Sequence, residues 1–207
     1  MASLGRKRKT KDPCQKCFLH KSLCLCGFIP SINLKTKVSL VIHAKELKRT
    51  TNTGRLALHA LTNSEMRVRG ATQVQLDLSD LLDSSYRTLF FYPSDDAIPL
   101  TKEFVLSDPR PIQLIVPDGN WRQASKVQSR HPELRDVPRI KMAVADPSSQ
   151  HMRAEHKEAG MATLQAIACA LGEIEGEEVK NTLLSLYTLK LERTLKGRGV
   201  PVKLQKS

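Results

Sequence analysis

Two groups of side chains in this 207-residue chain have types and spacings suited to chemistry. The first is Asp118-Gly119-Asn120-Trp121-Arg122, which follows directly on the apolar run Ile112-Gln113-Leu114-Ile115-Val116-Pro117. A carboxylate, a permissive Gly, the protein's one Trp and an Arg fall within five residues. A carboxylate beyond the end of a buried strand is a candidate general base or a ligand for a cationic amino group. Arg122 is either an exposed helix residue or, beside a helix N-terminus, a partner for a phosphate or carboxylate. Trp121 either packs its helix on the sheet or stacks on a base and walls a pocket. The second group is Cys14-x2-Cys17-x6-Cys24-x-Cys26, four of the five cysteines within thirteen residues. Thiolates so closely spaced can surround one tetrahedral zinc ion with little chain entropy to overcome, in a closed site that is structural or RNA-binding. A disulfide pair is the rival, but nothing in the sequence indicates an oxidising compartment. Four unrelated buried thiols fit poorly with so polar a segment. Cys169 sits in an apolar helical stretch and reads as a core residue.

The elements that must position these groups alternate. Val38–Ile42 reads as a strand and Thr53–Leu61 as a short helix; Val74–Leu76 and Thr88–Tyr92 read as further strands. Ile112–Val116 is the fourth strand, and a helix capped by Asn120 runs from Trp121 to about His131. Ile140-Lys141-Met142 reads as an edge strand. Thr163–Leu171 and Val179–Leu195 close the chain as helices, joined by an acidic link through Glu173, Glu175, Glu177 and Glu178 that reads as solvated loop and helix start. Strands alternating with helices predict an α/β domain with a largely parallel sheet. The expected organisation is a flexible basic arm at 1–11, a cysteine knuckle at 12–30, and an α/β domain over 31–207 with a basic tail from Lys190 onward.

Formal net charge is +12, from 33 Lys and Arg against 21 Asp and Glu. That surplus favours a polyanionic partner. A membrane surface is the weaker alternative, because no aromatic-faced amphipathic helix or lipidation motif is present. Arg6-Lys7-Arg8-Lys9 is followed by polar residues and not by an apolar stretch, so no signal peptide is predicted, no membrane span is expected, and the expected location is cytoplasmic. His131, His151 and His156 lack partners at diagnostic spacing and read as solvated.

Taken in order, the cysteine motif, His43-x2-Glu46, Asn52-Thr53-Gly54-Arg55-Leu56, Tyr92-Pro93-Ser94, Asp118-Gly119-Asn120-Trp121-Arg122-x-Ala124 and Thr163-Leu164-x-Ala166 form a specific series. It resembles the DTW-domain family of tRNA-uridine aminocarboxypropyltransferases, from Cys14 to about Leu171. The resemblance implies a knotted, SPOUT-like α/β domain, a rare exception to the rule against knots. It implies S-adenosylmethionine as donor, tRNA as partner, and transfer of the 3-amino-3-carboxypropyl group to N3 of a uridine. Asp118, Trp121 and Arg122 are then the expected catalytic residues. Tyr92, Pro93, Ser94, Asp118, Gly119, Thr163, Leu164 and Gln165 are expected to hold the donor. Cys14, Cys17, Cys24 and Cys26 are expected to hold structural zinc, and Arg49, Asn52, Thr53 and Arg55 to meet RNA. Relatives of this kind act as monomers or dimers.

Three positions depart from the family pattern. Asn120 stands where Thr is usual, Gln165 replaces a carboxylate, and Ala44 replaces the Pro after His43. Asn120 keeps capping capacity, whereas Gln165 removes any role that needs charge at that place. An RNA methyltransferase using the same donor and a zinc-containing RNA-binding protein with a decayed pocket are the competing functions.

Overall fold

A computed structural model describes residues 11–71, 76–143 and 161–200. At its centre lies β5 (Ile112–Asp118), whose first five residues are all buried. A strand buried on both faces carries apolar side chains continuously and not in alternation, as is usual for parallel sheets covered on both sides. The same holds for β1 (Lys37–His43) and for the apolar end of β3 (Arg87–Phe91). Period-two geometry sends alternate side chains to opposite faces. Accordingly Leu40, Ile42, Leu114, Val116, Leu89 and Phe91 enter one core, while Val41, Ile115 and Phe90 enter a second.

Among the described residues six strands form one sheet in the order β2-β1-β5-β3-β6-β4. Every pairing is parallel. The larger core is covered by α1 (Gly54–Ala60), α5 (Thr163–Glu175), α6 (Glu177–Gly197) and the cysteine knuckle, which contributes Cys17, Leu19 and Leu25. The smaller core lies under Leu78, Leu81, Leu134, Val137 and Val127 of α4 (Lys126–Arg130).

Sheet order also defines a crevice. After β1 the chain runs to β2 (Ser64–Arg69) on one side; after β5 it runs to β6 (Arg139–Met142) on the other. The neighbours β1 and β5 thus send their connections in opposite directions. Ligands in open α/β sheets bind outside the strand ends at such a point. Register sets Asp118 opposite Ile42, and His43 opposite Arg69, at this carboxyl edge.

Several expectations are corrected. A strand forms at Ser64–Arg69; of the expected strand Val74–Leu76, only Leu76 lies within the described residues, and it is not in a strand. The segment Ile140–Met142 is interior, because the short β4 (Ile98–Leu100) pairs along its outer side. Pro99 in β4 suits an edge, where a missing N–H breaks no ladder. The helix after Asp118 is two pieces, α3 (Trp121–Ala124) and α4, and at the break the Gln123 carbonyl accepts from Arg69 Nη1 at 2.8 Å. Of the expected acidic link, Glu177 and Glu178 open α6 as a helix start, whereas Glu173 and Glu175 belong to α5 and the loop is Gly176 alone, at φ 114°, a conformation suited to Gly. Glu175, still within α5, accepts from the Thr36 N–H at 2.8 Å and its hydroxyl at 2.5 Å. His131 is buried and meets Glu133 at 3.2 Å, with Glu133 also capping the Leu78 N–H. Lys190 is no part of a solvated tail: it lies inside α6 and is 2% exposed. Any trefoil threading depends on the path from β6 to α5, and residues 144–160 lie outside the described residues, as do His151, His156 and all but the last residue of the basic arm expected at 1–11.

Candidate active site and cysteine centre

Asp118 ends β5 and is buried at 6% exposure. Its Oδ2 accepts from Asn52 Nδ2 at 2.5 Å, and its Oδ1 from Thr163 Oγ1 at 2.7 Å. Three segments distant in sequence therefore converge on one carboxylate. Two further bonds lock the arrangement. Asn52 Oδ1 accepts from the Arg55 N–H at 3.2 Å, which opens α1; Thr53 Oγ1 accepts from the Leu164 N–H at 3.2 Å, which opens α5. Each satisfies a backbone donor that a helix start leaves unpaired. The two bonds from Asn52 and Thr163 fix the carboxylate in orientation.

Gly54 makes this closeness possible. A Cβ there would lie 2.9 Å from Asp118 Oδ2 and 3.1 Å from both Leu40 methyl groups. On the other side of Asp118 the expected cap forms as a reciprocal pair. Asn120 Oδ1 accepts from the Gln123 N–H, and Gln123 Oε1 from the Asn120 N–H, both at 2.9 Å.

The rim of the crevice is basic. Arg69, 7% exposed, ends β2 beside His43 and Arg130. Burial, then the charges of Arg69 and Lys45, hold the His43 imidazole below its ordinary range. Glu46 is fully buried and ion-paired to Arg49 Nε at 3.2 Å. Sequence reasoning missed Arg69, since the strand carrying it is short and holds only two apolar residues, Met66 and Val68, between its charges.

The other expected site residues fall as follows. Tyr92, Pro93 and Ser94 follow β3 at the same carboxyl edge, where the Ser94 carbonyl accepts from Ala97 N–H and Lys141 Nζ. Gly119 leads into α3, which Trp121 opens, and Arg122 is exposed. Leu164 and Gln165 are buried in the first turn of α5, and Gln165 Oε1 has no hydrogen-bond partner among the described residues. Asn52 and Thr53 are buried and bonded inward, so they position the site. Arg55 is half-buried: it donates to the Leu47 carbonyl at 2.7 Å and stacks over the Phe18 ring at 4.6 Å. Arg49 remains substantially exposed.

The four knuckle cysteines bring their sulfurs within 4.8 Å of one another. Individual Sγ separations are 3.5 Å for Cys14–Cys24, 3.6 Å for Cys14–Cys26 and 3.8 Å for Cys17–Cys24. A tetrahedral ion with bonds of about 2.3 Å holds its sulfurs roughly 3.8 Å apart. A disulfide would need about 2.05 Å. Backbone N–H groups of Cys17 and Lys16 pull the Cys14 thiol down to about 6, while burial pushes Cys26 up. Helix α6 holds the knuckle in place. Lys190 Nζ donates to the Cys17 carbonyl at 2.9 Å, and Arg193 donates to the Cys24 carbonyl and stacks over Phe28.

Comparison with known proteins shows what the chain as a whole is similar to. The chain is 29% identical over 188 residues to tRNA-uridine aminocarboxypropyltransferase 2 of Drosophila melanogaster, covering 86% of this chain and 74% of the fly protein. It is 25% identical to the Macaca fascicularis protein of that name, covering 85% of this chain and 61% of the relative. It is 24% identical to tRNA-uridine aminocarboxypropyltransferase A of Arabidopsis thaliana, covering 84% and 77%. The chain thus spans about three quarters of the fly and plant relatives and under two thirds of the macaque one. The solved SAM-dependent rRNA:acp-transferase Tsr3 from Vulcanisaeta distributa aligns at a TM-score of 0.45 with 14% identity over 79% of each chain. Residues 11–195 match the DTW domain, nearly the full length of this chain, which therefore belongs to the DTW-domain family.

Proposed function

We propose that this protein transfers the 3-amino-3-carboxypropyl group of S-adenosylmethionine to N3 of a uridine in tRNA, as a cytoplasmic tRNA-modifying enzyme. The observation that carries the reading is the Asp118 carboxylate, held by Asn52 and Thr163 at the switch point of the sheet. When bound, the donor supplies a carbon beside a sulfonium, so that C–N bond formation at N3 accompanies C–S cleavage and leaves methylthioadenosine. The uridine N3 proton must go elsewhere, and Asp118 is the acceptor placed to take it. Its two internal bonds keep the oxygens aimed, so catalysis here is largely orientation.

One feature of the chain fits such a donor. Gln165 Oε1 is a buried acceptor without a partner among the described residues, and a ligand N–H would satisfy it. The loops at Tyr92-Pro93-Ser94, Asp118-Gly119 and Thr163-Leu164-Gln165 would hold the donor. Trp121 and Arg122 at the start of α3 would face the base and an anionic group. Cys14, Cys17, Cys24 and Cys26 would hold zinc, whose part is to fix the knuckle's shape. The basic rim suits a polyanion such as tRNA.

The test is incubation with unmodified tRNA and donor labelled in its methionine carbons, followed by identification of the released nucleoside. Methylthioadenosine with label retained in a uridine is expected. Adenosylhomocysteine would make the protein an RNA methyltransferase, and neither product would leave a binding protein.

A further inference from the structure

Arg69 is 7% exposed at the carboxyl edge, and beside it stand His43 and a second cation, Arg130. Burial of a guanidinium next to another cation costs free energy. Its Nη1 donates to the Gln123 carbonyl at 2.8 Å, a bond that a neutral side chain could also make. Reach explains why an Arg stands here. In the sheet β1 lies between β2 and β5, and the chain that Arg69 grasps follows β5. Two strand spacings of about 4.8 Å each separate them, a span that asks for one of the longest side chains.

The segment it grasps has little support of its own. α3 is four residues long, and the N–H groups of Gln123 and Ala124 both bond to one carbonyl, that of Asn120. A helix so short does not hold its shape unaided in water. The reciprocal cap between Asn120 and Gln123 closes it from within, the buried Ala124 anchors one side, and Arg69 ties it from outside at the break before α4. The tie continues towards the carboxylate. A Cβ on Gly119 would lie 2.8 Å from Gln123 Oε1 and 2.9 Å from Gln123 Cβ, so the Gln123 side chain rests directly against the residue that follows Asp118.

The opposite edge of the sheet carries a bond of the same kind. Arg87, at the amino end of β3, donates from Nη1 to the Phe104 carbonyl of α2 (Lys102–Leu106) at 2.7 Å and stacks over the Phe104 ring at 3.9 Å. That bond fastens a short helix at the edge away from Asp118. The Arg69 bond ends instead in the turn that leaves Asp118 and carries Trp121 and Arg122.

We propose that Arg69 is a positioning residue for the transfer: from the end of β2 it reaches past β1 and fixes α3, and with it Trp121 and Arg122, relative to the Asp118 carboxylate. This rests on the reaction proposed above and deepens it, by adding to the site a residue that touches neither donor nor RNA. Arg69 is buried and offers almost no surface to a phosphate, so its loss should cost rate at saturating substrates and not RNA affinity. A misplacement of about 1 Å can cost roughly 100-fold in rate.

The test compares Arg69→Met, Arg69→Lys and Arg87→Met in the zinc-loaded full chain. Trp121 is the protein's one Trp, so its fluorescence reports on α3 directly, whatever the reaction. Arg69→Met should raise acrylamide quenching of Trp121 about twofold as the turn loosens. Single-turnover transfer at saturating donor and tRNA should fall about 10- to 100-fold, with tRNA affinity and its salt slope unchanged. Arg69→Lys, a compact ammonium with a shorter reach, should fall between wild type and Arg69→Met in both readouts. Arg87→Met loses the same kind of bond at the far edge and should keep wild-type quenching and rate. Wild-type quenching in Arg69→Met, or a rate no lower than that of Arg87→Met, would overturn the proposal. So would a salt slope lowered by about one, the mark of a lost phosphate contact. Should Arg69→Met not fold, wild-type values of both readouts in Arg69→Lys overturn it equally. Release of methylthioadenosine by the wild type is scored separately. Raised quenching in a protein whose wild type makes no product sinks the reaction and leaves the tie, and full transfer with unaltered quenching sinks the tie alone.

Discussion

The crevice around Asp118 and the cysteine knuckle are built by opposite strategies. The knuckle draws its four sulfurs from thirteen consecutive residues, so its geometry is nearly local. The crevice draws Asn52, Asp118 and Thr163 from segments 66 and 45 residues apart, and only the completed sheet brings them together. A local centre can organise before the fold is finished; a convergent one reports that the fold is correct. Damage to the knuckle should therefore appear first as lost stability, and damage to the crevice as lost chemistry.

The largest expected effect is in the crevice. Asp118→Asn is nearly isosteric, leaves the apolar packing of β5 intact, and removes the proposed proton acceptor. Transfer should fall about 100- to 10,000-fold, the range for loss of a general base. Binding of tRNA should stay within about twofold, since phosphate contacts dominate it. Single-turnover rates at saturating donor decide the matter, and a wild-type rate would remove Asp118 from the chemistry.

The knuckle should answer differently. Cys17 is buried, and its neighbours Leu19 and Leu25 are core residues shared with α6. Cys17→Ser, or removal of zinc by a chelator, should abolish metal content and loosen that corner. A loss of about 3 kcal/mol would lower Tm by roughly 6–12 °C for a chain of this size. Metal analysis with a melting curve measures it. A knuckle that melts at the wild-type temperature without metal would make the cysteines an ordinary piece of core.

How far each region was legible in the sequence follows the same contrast. The cysteine spacing announced a cluster because nothing beyond the segment is needed to form it. Asp118 was legible because an apolar strand ends in a Gly-containing turn, and the β1, β3 and β5 strands followed from short, largely apolar runs. The partners of Asp118 were reachable only through the ordered motif series, since no local pattern says that Asn52 and Thr163 meet. The Ser64–Arg69 strand was missed because it is a half-exposed edge with charges at alternate positions. The Ile98–Leu100 strand was missed because three residues containing a Pro carry no period. The burial of His131 and Lys190 was invisible for a related reason: each is compensated by a contact, with Glu133 or with the Cys17 carbonyl, that pattern reading does not see.

The smallest predicted effect tests whether stability and chemistry really separate in the crevice. Gly54 opens α1, where Ala would gain up to about 1 kcal/mol in helix propensity. Against that, the new Cβ would stand 2.9 Å from Asp118 Oδ2 and 3.1 Å from Leu40, which is fully buried on the central sheet and has no room to retreat. Overpacking of this kind costs about 1–3 kcal/mol, so the two terms partly offset and Gly54→Ala should lose about 2 kcal/mol or less. The carboxylate is the softer neighbour and should be the group that moves. A shift of a few tenths of an ångström lengthens the bond from Asn52 and misdirects the acceptor. Transfer should then drop about tenfold at a Tm only a few degrees below wild type, a larger loss than the stability change explains. Equal proportional losses in rate and stability would instead mean that Gly54 serves packing alone.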